Sequence, residues 1–183
     1  MVKVTDLMII LGSPASGKTT LARRLGAQLG APCLCKDDVK EALFDVLGIA
    51  DRQGSRRQSD ASFAALLRLA QTQLEAGLSC IVEGNWRSEH AAGVLAATAA
   101  TSARIAQVWC HAHPLEIARR FTSRTRHAGH LDALIPHDEI NRFSDIPPSF
   151  MALPGPRWIY DSGDTHSYER LVGDLKIWRE TPR

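Results

Sequence analysis

The stretch Gly12-Ser13-Pro14-Ala15-Ser16-Gly17-Lys18-Thr19-Thr20 combines glycines, hydroxyls and a lysine at a spacing suited to gripping a polyphosphate. Gly12 and Gly17 open backbone angles closed to residues with a Cβ, so successive amides can converge on one anion. Lys18 would reach the β- and γ-phosphates, and the Thr19 hydroxyl would ligate Mg²⁺. Gly12, Ser13, Ala15, Ser16, Gly17, Lys18, Thr19 and Thr20 are therefore the expected binding set for a nucleoside triphosphate.

Such a loop works only between a strand and a helix N-terminus, where unpaired amides point at the anion. The apolar run Leu7-Met8-Ile9-Ile10-Leu11 precedes it, and Leu21, Leu25 and Leu29 mark one face of a following helix. Apolar strands alternating with helical periodicity continue along the chain, which predicts a parallel sheet covered on both faces, an α/β fold. The further strands are expected at about 32–35, 79–82, 105–110 and 158–160. Helix two carries Val39, Leu43, Val46 and Leu47 on one face, and Gly48 is a suitable stop. Asp51 to Asp60 is polar and reads as a loop, with helix three running from Asp60, a fair N-cap, to Glu75. A small-residue helix is expected over about 89–101, one opens at Pro114, and the last carries Tyr168, Leu171, Val172, Leu175 and Trp178.

In an open parallel sheet the ligand lies beyond the carboxyl ends of the strands, so the residues after each strand carry the chemistry. Strand two delivers Lys36-Asp37-Asp38-Val39-Lys40, and strand three delivers Glu83-Gly84-Asn85-Trp86-Arg87. Phosphoryl transfer needs a group that orients the acceptor hydroxyl and accepts its proton; Asp37 is placed for this, with Asp38 an alternative or a helix cap. Lys40 could meet a substrate anion, Glu83 could hold Mg²⁺ or bind the acceptor, and Asn85 and Arg87 could contact the acceptor. Arg120 and Arg124 fall four apart with no acid between them, and such like charges repel until an anion arrives. They read as a lid over the triphosphate, spanning about 119–145, with Arg126 a further member. His127, His130 and His137, with Asp132 and Asp138, match no standard metal-ligand spacing.

With 183 residues, the chain is expected to form a single domain with its own core. A net charge of +2 is too small to imply a nucleic-acid partner by itself. The run at Leu7 is too short for a secretory leader, no stretch approaches a membrane span, and a cytoplasmic location is expected. Cys33, Cys35, Cys80 and Cys110 lie in or beside apparent strands and read as packed, reduced thiols.

The loop, the Lys-Asp-Asp-Val-Lys turn, the acid-tipped third strand and the Arg-x-x-x-Arg element together resemble the small P-loop kinases. The nearest group is the predicted-kinase (AAA_33-like) family, with polynucleotide 5′-kinase domains, chloramphenicol phosphotransferase, zeta-type toxins and, more remotely, gluconate kinases. The resemblance implies a three-layer fold with a five-stranded parallel sheet of order 2-3-1-4-5, ATP and Mg²⁺ as cofactors, Asp37 as base, Arg120 and Arg124 as lid arginines, and Asp161-Ser162-Gly163 near the adenine. Glu83 stands where the 5′-kinases have Asp. The expected activity is transfer of the γ-phosphate to a hydroxyl of a small-molecule acceptor of antibiotic, sugar or nucleoside type. The alternatives are a polynucleotide 5′-hydroxyl kinase, a nucleotide-binding regulatory ATPase, and a zeta-like toxin acting on a nucleotide sugar.

Overall fold

A strand buried from end to end must lie at the middle of a covered sheet, and β1 (Asp6–Gly12) is buried at every residue. The structure, a computed structural model, describes residues 4–48, 51–131 and 146–181. In it β1 is flanked by β3 (Cys80–Glu83) and β4 (Arg104–His111), with β2 (Cys33–Cys35) and β5 (Arg157–Asp161) at the edges. All pairs are parallel and the order is β2-β3-β1-β4-β5, as the family resemblance implied. The register sets Leu7 between Cys80 and Ile105, and Ile10 between Glu83 and Val108.

Alternation along β1 divides the core in two, because successive side chains leave opposite faces. Leu7, Ile9 and Leu11 pack with Phe63, Leu66, Ala70 and Leu74 of α3 (Arg52–Glu75) and Val94 of α4 (Ala91–Thr98). Met8 and Ile10 pack with Leu21 and Leu25 of α1 (Lys18–Leu29) and with Tyr168, Leu171 and Leu175 of α6 (Ser167–Glu180). Two further helices, α2 (Lys36–Leu47) and α5 (Pro114–Ser123), start at the carboxyl ends of β2 and β4. The result is the three-layer arrangement. Among the described residues no helix is long and apolar enough to cross a membrane.

Three expectations are corrected. The polar segment 51–60 is helical: α3 begins at Arg52, with Asp51 as N-cap accepting from Gly54 N at 2.7 Å. An N-cap and two side-chain contacts, Gln58 to Gly48 O at 2.7 Å and Lys40 to Ser55 Oγ at 2.8 Å, hold turns that lack an apolar stripe. Val46 and Leu47 are exposed (83% and 68%), because α2 turns Lys36 and Lys40 inward toward the cleft. The small-residue helix stops at Thr98, following a 3₁₀ turn at Ser88–His90.

Two anchors fix the sheet's surroundings. Gln107, fully buried on β4, bonds both the amide (2.9 Å) and the carbonyl (3.2 Å) of Met151. Asp6 accepts from Arg104 Nε at 2.9 Å and Arg179 Nε at 3.2 Å, and Arg104 also donates to the carbonyls of Trp178, Arg179 and Thr181 at the end of α6.

Candidate active site

The glycines of the phosphate loop do what their type requires. Gly12 has φ +142° and runs so close to β4 that a Cβ would lie 2.3 Å from the Cys110 carbonyl oxygen. Gly17, with φ +97°, forms the N-cap of α1, and Ala15 adopts a left-handed φ of 61° at the loop's tip. Cys110 donates its thiol to the Ser16 carbonyl at 3.1 Å from below. Lys18 is buried and its Nζ curls back to the Ser13 carbonyl at 2.7 Å. The Ser16 hydroxyl is buried with no hydrogen-bond partner among the described residues, an orphaned polar atom two residues before the start of α1. These features fit a bound polyphosphate. Thr19 Oγ1 donates to Glu83 Oε2 at 3.1 Å, so the two expected metal-ligating groups are neighbours. Burial pushes the Glu83 carboxyl up, against the opposing pull of Lys18.

Beside the loop opens a cleft of about 610 Å³. The phosphate loop and α1 contribute Ala15, Gly17, Lys18, Thr19 and Thr20 to its lining; α2 and the elements around it contribute Lys36, Asp37, Lys40, Glu41, Ser59, Asn85 and His130, and Arg120, Arg124 and Arg126 come from α5 and the segment after it. The α2 acids part company here. Asp38 also lines the cleft but makes a two-pronged exposed pair with Arg23 of α1, at 2.8 and 3.0 Å. Asp37 sits among cations: Lys36 Nζ is 3.3 Å from its Oδ1, and Arg126 donates to its Oδ2. Burial opposes ionisation of Asp37, but Lys36, Arg126, His130 and Lys18 outweigh it and hold the carboxyl at about 2.

The arginines are arranged differently from the sequence reading. Helix α5 ends at Ser123, so Arg124 lies beyond its last turn, in extended conformation, and does not share a helical face with Arg120. Arg120 is neutralised from its N-terminal side, with Nε donating to Glu116 at 2.7 Å, and its Nη1 donates to Ser162 at 2.8 Å. That guanidinium borders the phosphate loop: Nη1 lies 3.8 Å from where a Gly17 Cβ would be. Arg87 is exposed, pairs with Glu89 at 3.8 Å, and is not among the residues lining the cleft; Asn85 is. Of the histidines, His127 meets Asp45 at 3.0 Å and His130 meets Glu41 at 2.8 Å. His137, Asp132 and Asp138, and the lid from 132 to 145, lie outside the described residues.

Sequence reasoning placed Lys36 at the rim without a role, and passed over Glu41, Ser59 and His130 as cleft residues. Lys36 carried a signal, since it is the first residue after an edge strand at the functional rim. Ser59 and His130 carried none, because their placement depends on which helices pack together.

Residues 7–144 match the family described as AAA domain, AAA_33. A solved structure from Chloroflexus aurantiacus, provisionally described as a kinase, is 31% identical, with 94% of this chain and 97% of that chain aligned and a TM-score of 0.83. The APS kinase of Mycobacterium tuberculosis in complex with AMPPNP and APS has the same fold at 18% identity, covering 94% and 98% of the two chains with a TM-score of 0.62. An uncharacterized protein of Mycobacterium tuberculosis is 34% identical over 87 residues, 44% of this chain; the match spans only 18% of that relative's length.

Proposed function

The chain belongs to the AAA_33 family of AAA domains, and from that membership and the cleft we propose that it is a kinase. It transfers the γ-phosphate of ATP to a hydroxyl of a small-molecule acceptor, as a cytoplasmic enzyme. The observation that carries this reading is that the phosphate loop and Asp37 line one cavity together with Lys40, Ser59, Asn85 and His130. A regulatory ATPase without an acceptor needs no such set of polar groups beside the carboxylate.

In this reading the loop amides and Lys18 would hold the polyphosphate, and Thr19 and Glu83 would hold Mg²⁺, which would neutralise charge on the phosphate oxygens. Asp37 accepts a hydrogen bond from the acceptor hydroxyl and aims its oxygen at the γ-phosphorus. The bond from oxygen to phosphorus forms as the bond to the β,γ-bridging oxygen breaks; the hydroxyl proton passes to Asp37 and ADP leaves. A carboxylate held near 2 is a weak base, so its main contribution is orientation. That suits a loose transition state, in which the nucleophile needs little activation. Arg120, beside the loop, and Arg124, in the cleft lining, offset charge on the transferring group.

The test is ADP release across a panel of hydroxylated metabolites, nucleosides, antibiotics and a 5′-hydroxyl oligonucleotide, with Asp37→Ala as control. Acceptor-stimulated release that Asp37→Ala removes is the expected result. Release that no acceptor stimulates, equal in both proteins, overturns the kinase reading; stimulation by the oligonucleotide alone, falling steeply with salt, substitutes a polynucleotide kinase.

A further inference from the structure

The segment after α5 returns along α2 and meets a ladder of acids spaced one turn apart. Arg126 donates to Asp37, His130 Nε2 lies 2.8 Å from Glu41 Oε1, and His127 Nε2 lies 3.0 Å from Asp45 Oδ1. Phe44, on the same helix, packs edge-on against His127, with ring centroids 5.1 Å apart. The middle rung is peculiar. The His130 side chain is only 5% exposed, and its Nε2 lies 3.1 Å from Arg126 Nη2 as well as beside Glu41. A guanidinium can only donate, and an ionised carboxylate can only accept. One ring nitrogen cannot satisfy both at once.

We propose that His130 is a positioning residue for this site, whose Nε2 decides whether the Arg126 guanidinium is held on the Asp37 carboxylate. With its proton on Nδ1, the neutral ring accepts from Arg126, and the guanidinium is then fixed between His130 and Asp37. With a proton on Nε2, the ring donates to Glu41 and turns an N–H toward Arg126, which loses that support. The meaning for phosphate transfer rests on Asp37 being the acceptor-orienting group; the coupling itself does not.

Among the described residues, the charged groups facing His130 are Asp37, Lys40 and Glu41 from α2 and Arg126 from its own segment. Burial and then Arg126 push the imidazole below its ordinary 6.5, against the pull of Asp37 and Glu41. The docked arrangement therefore prefers the neutral ring, and Arg126 beside Nε2 favours the tautomer with its proton on Nδ1. The hold on Arg126 belongs to that neutral form and is lost as pH falls from 6.5 through the lowered value, where Nε2 must carry a proton.

The experiment uses the full chain without nucleotide or acceptor and reads the Arg126 Nη–H signals and the His130 ring by NMR. At pH above the His130 midpoint, resolved Arg126 Nη–H signals are expected, and they should average out below it. His130→Ala should lack them at every pH. His130→Gln, whose amide offers an oxygen to Arg126 and an N–H to Glu41, should restore them and make them independent of pH. Arg126→Ala should move the His130 midpoint up toward 6.5. A purely structural role would make the Ala and Gln variants alike. Should His130→Ala not fold, His130→Asn, with its amide one bond short, takes its place. The proposal is overturned if the wild-type Arg126 signals ignore the His130 titration, or if the Gln variant fails to restore them. Because no phosphate is transferred in the sample, this outcome is independent of the ADP-release assay.

Discussion

The two walls of the cleft are made of different material. The phosphate wall is backbone: loop amides, two glycines at positive φ and a helix start, backed by the buried β1 and β4. The facing wall is side chains: Lys36, Asp37, Lys40 and Glu41 of α2, met by Arg126 and His130 from a distant part of the chain. Apart from Lys18 and Thr19, whose side chains would reach the ligand, a backbone wall tolerates changes of side chain but no added Cβ where the loop touches a strand. A side-chain wall tolerates backbone adjustment but depends on each charge having its neighbours.

Gly12→Ala should have the largest effect. The new Cβ would sit 2.3 Å from the Cys110 carbonyl oxygen at φ +142°, costing more than about 3 kcal/mol and abolishing nucleotide binding. A thermal melt unchanged from wild type would break the contrast between the walls. Next come Lys18→Ala and Asp37→Ala, which separate the walls by kinetics. Both should lower turnover, Asp37→Ala by about 10²-fold through lost orientation of the acceptor, but only Lys18→Ala should weaken ATP binding in calorimetry. Equal loss of ATP affinity in Asp37→Ala would move that residue onto the metal. Away from both walls, Asp6→Asn should cost about 2 kcal/mol in denaturant unfolding, since it loosens the buried acid between Arg104 and Arg179, while ATP affinity stays at the wild-type value. Asp38→Asn should do least: its pair with Arg23 is more than half exposed, so stability should change by under about 1 kcal/mol and turnover should persist. Turnover lost in Asp38→Asn instead would exchange the roles of the two neighbouring acids.

The same contrast explains what the sequence disclosed. The phosphate wall is local: five apolar residues, a glycine-bounded loop and leucines at helical spacing imply a strand, a nest and a helix with no knowledge of the rest. The sheet followed for a similar reason, since its strands are short apolar runs between turn residues. The first turns of α3 were hidden, because Arg52 to Ser59 carries no apolar stripe and is held by the Asp51 cap and by contacts to α2 and the residue after it. The α2 stripe misled for the converse reason. Val46 and Leu47 obey the helical period, but the cleft takes the lysine face inward and leaves them in solvent. Arg126 and His130 gain their positions from contacts 89 residues away in sequence, which no period or spacing reports.

Cys110 gives the molecule a built-in gauge. Its thiol has no exposed surface, is tied to the Ser16 carbonyl, and is pushed up to about 11 by burial, so an alkylating reagent can reach it only when the loop and β4 part. The rate at which it is labelled therefore counts those openings, with the half-buried Cys33 as a faster internal standard. Any compound that occupies the loop should slow the Cys110 clock in proportion to its occupancy, which would rank nucleotides by grip without a known acceptor.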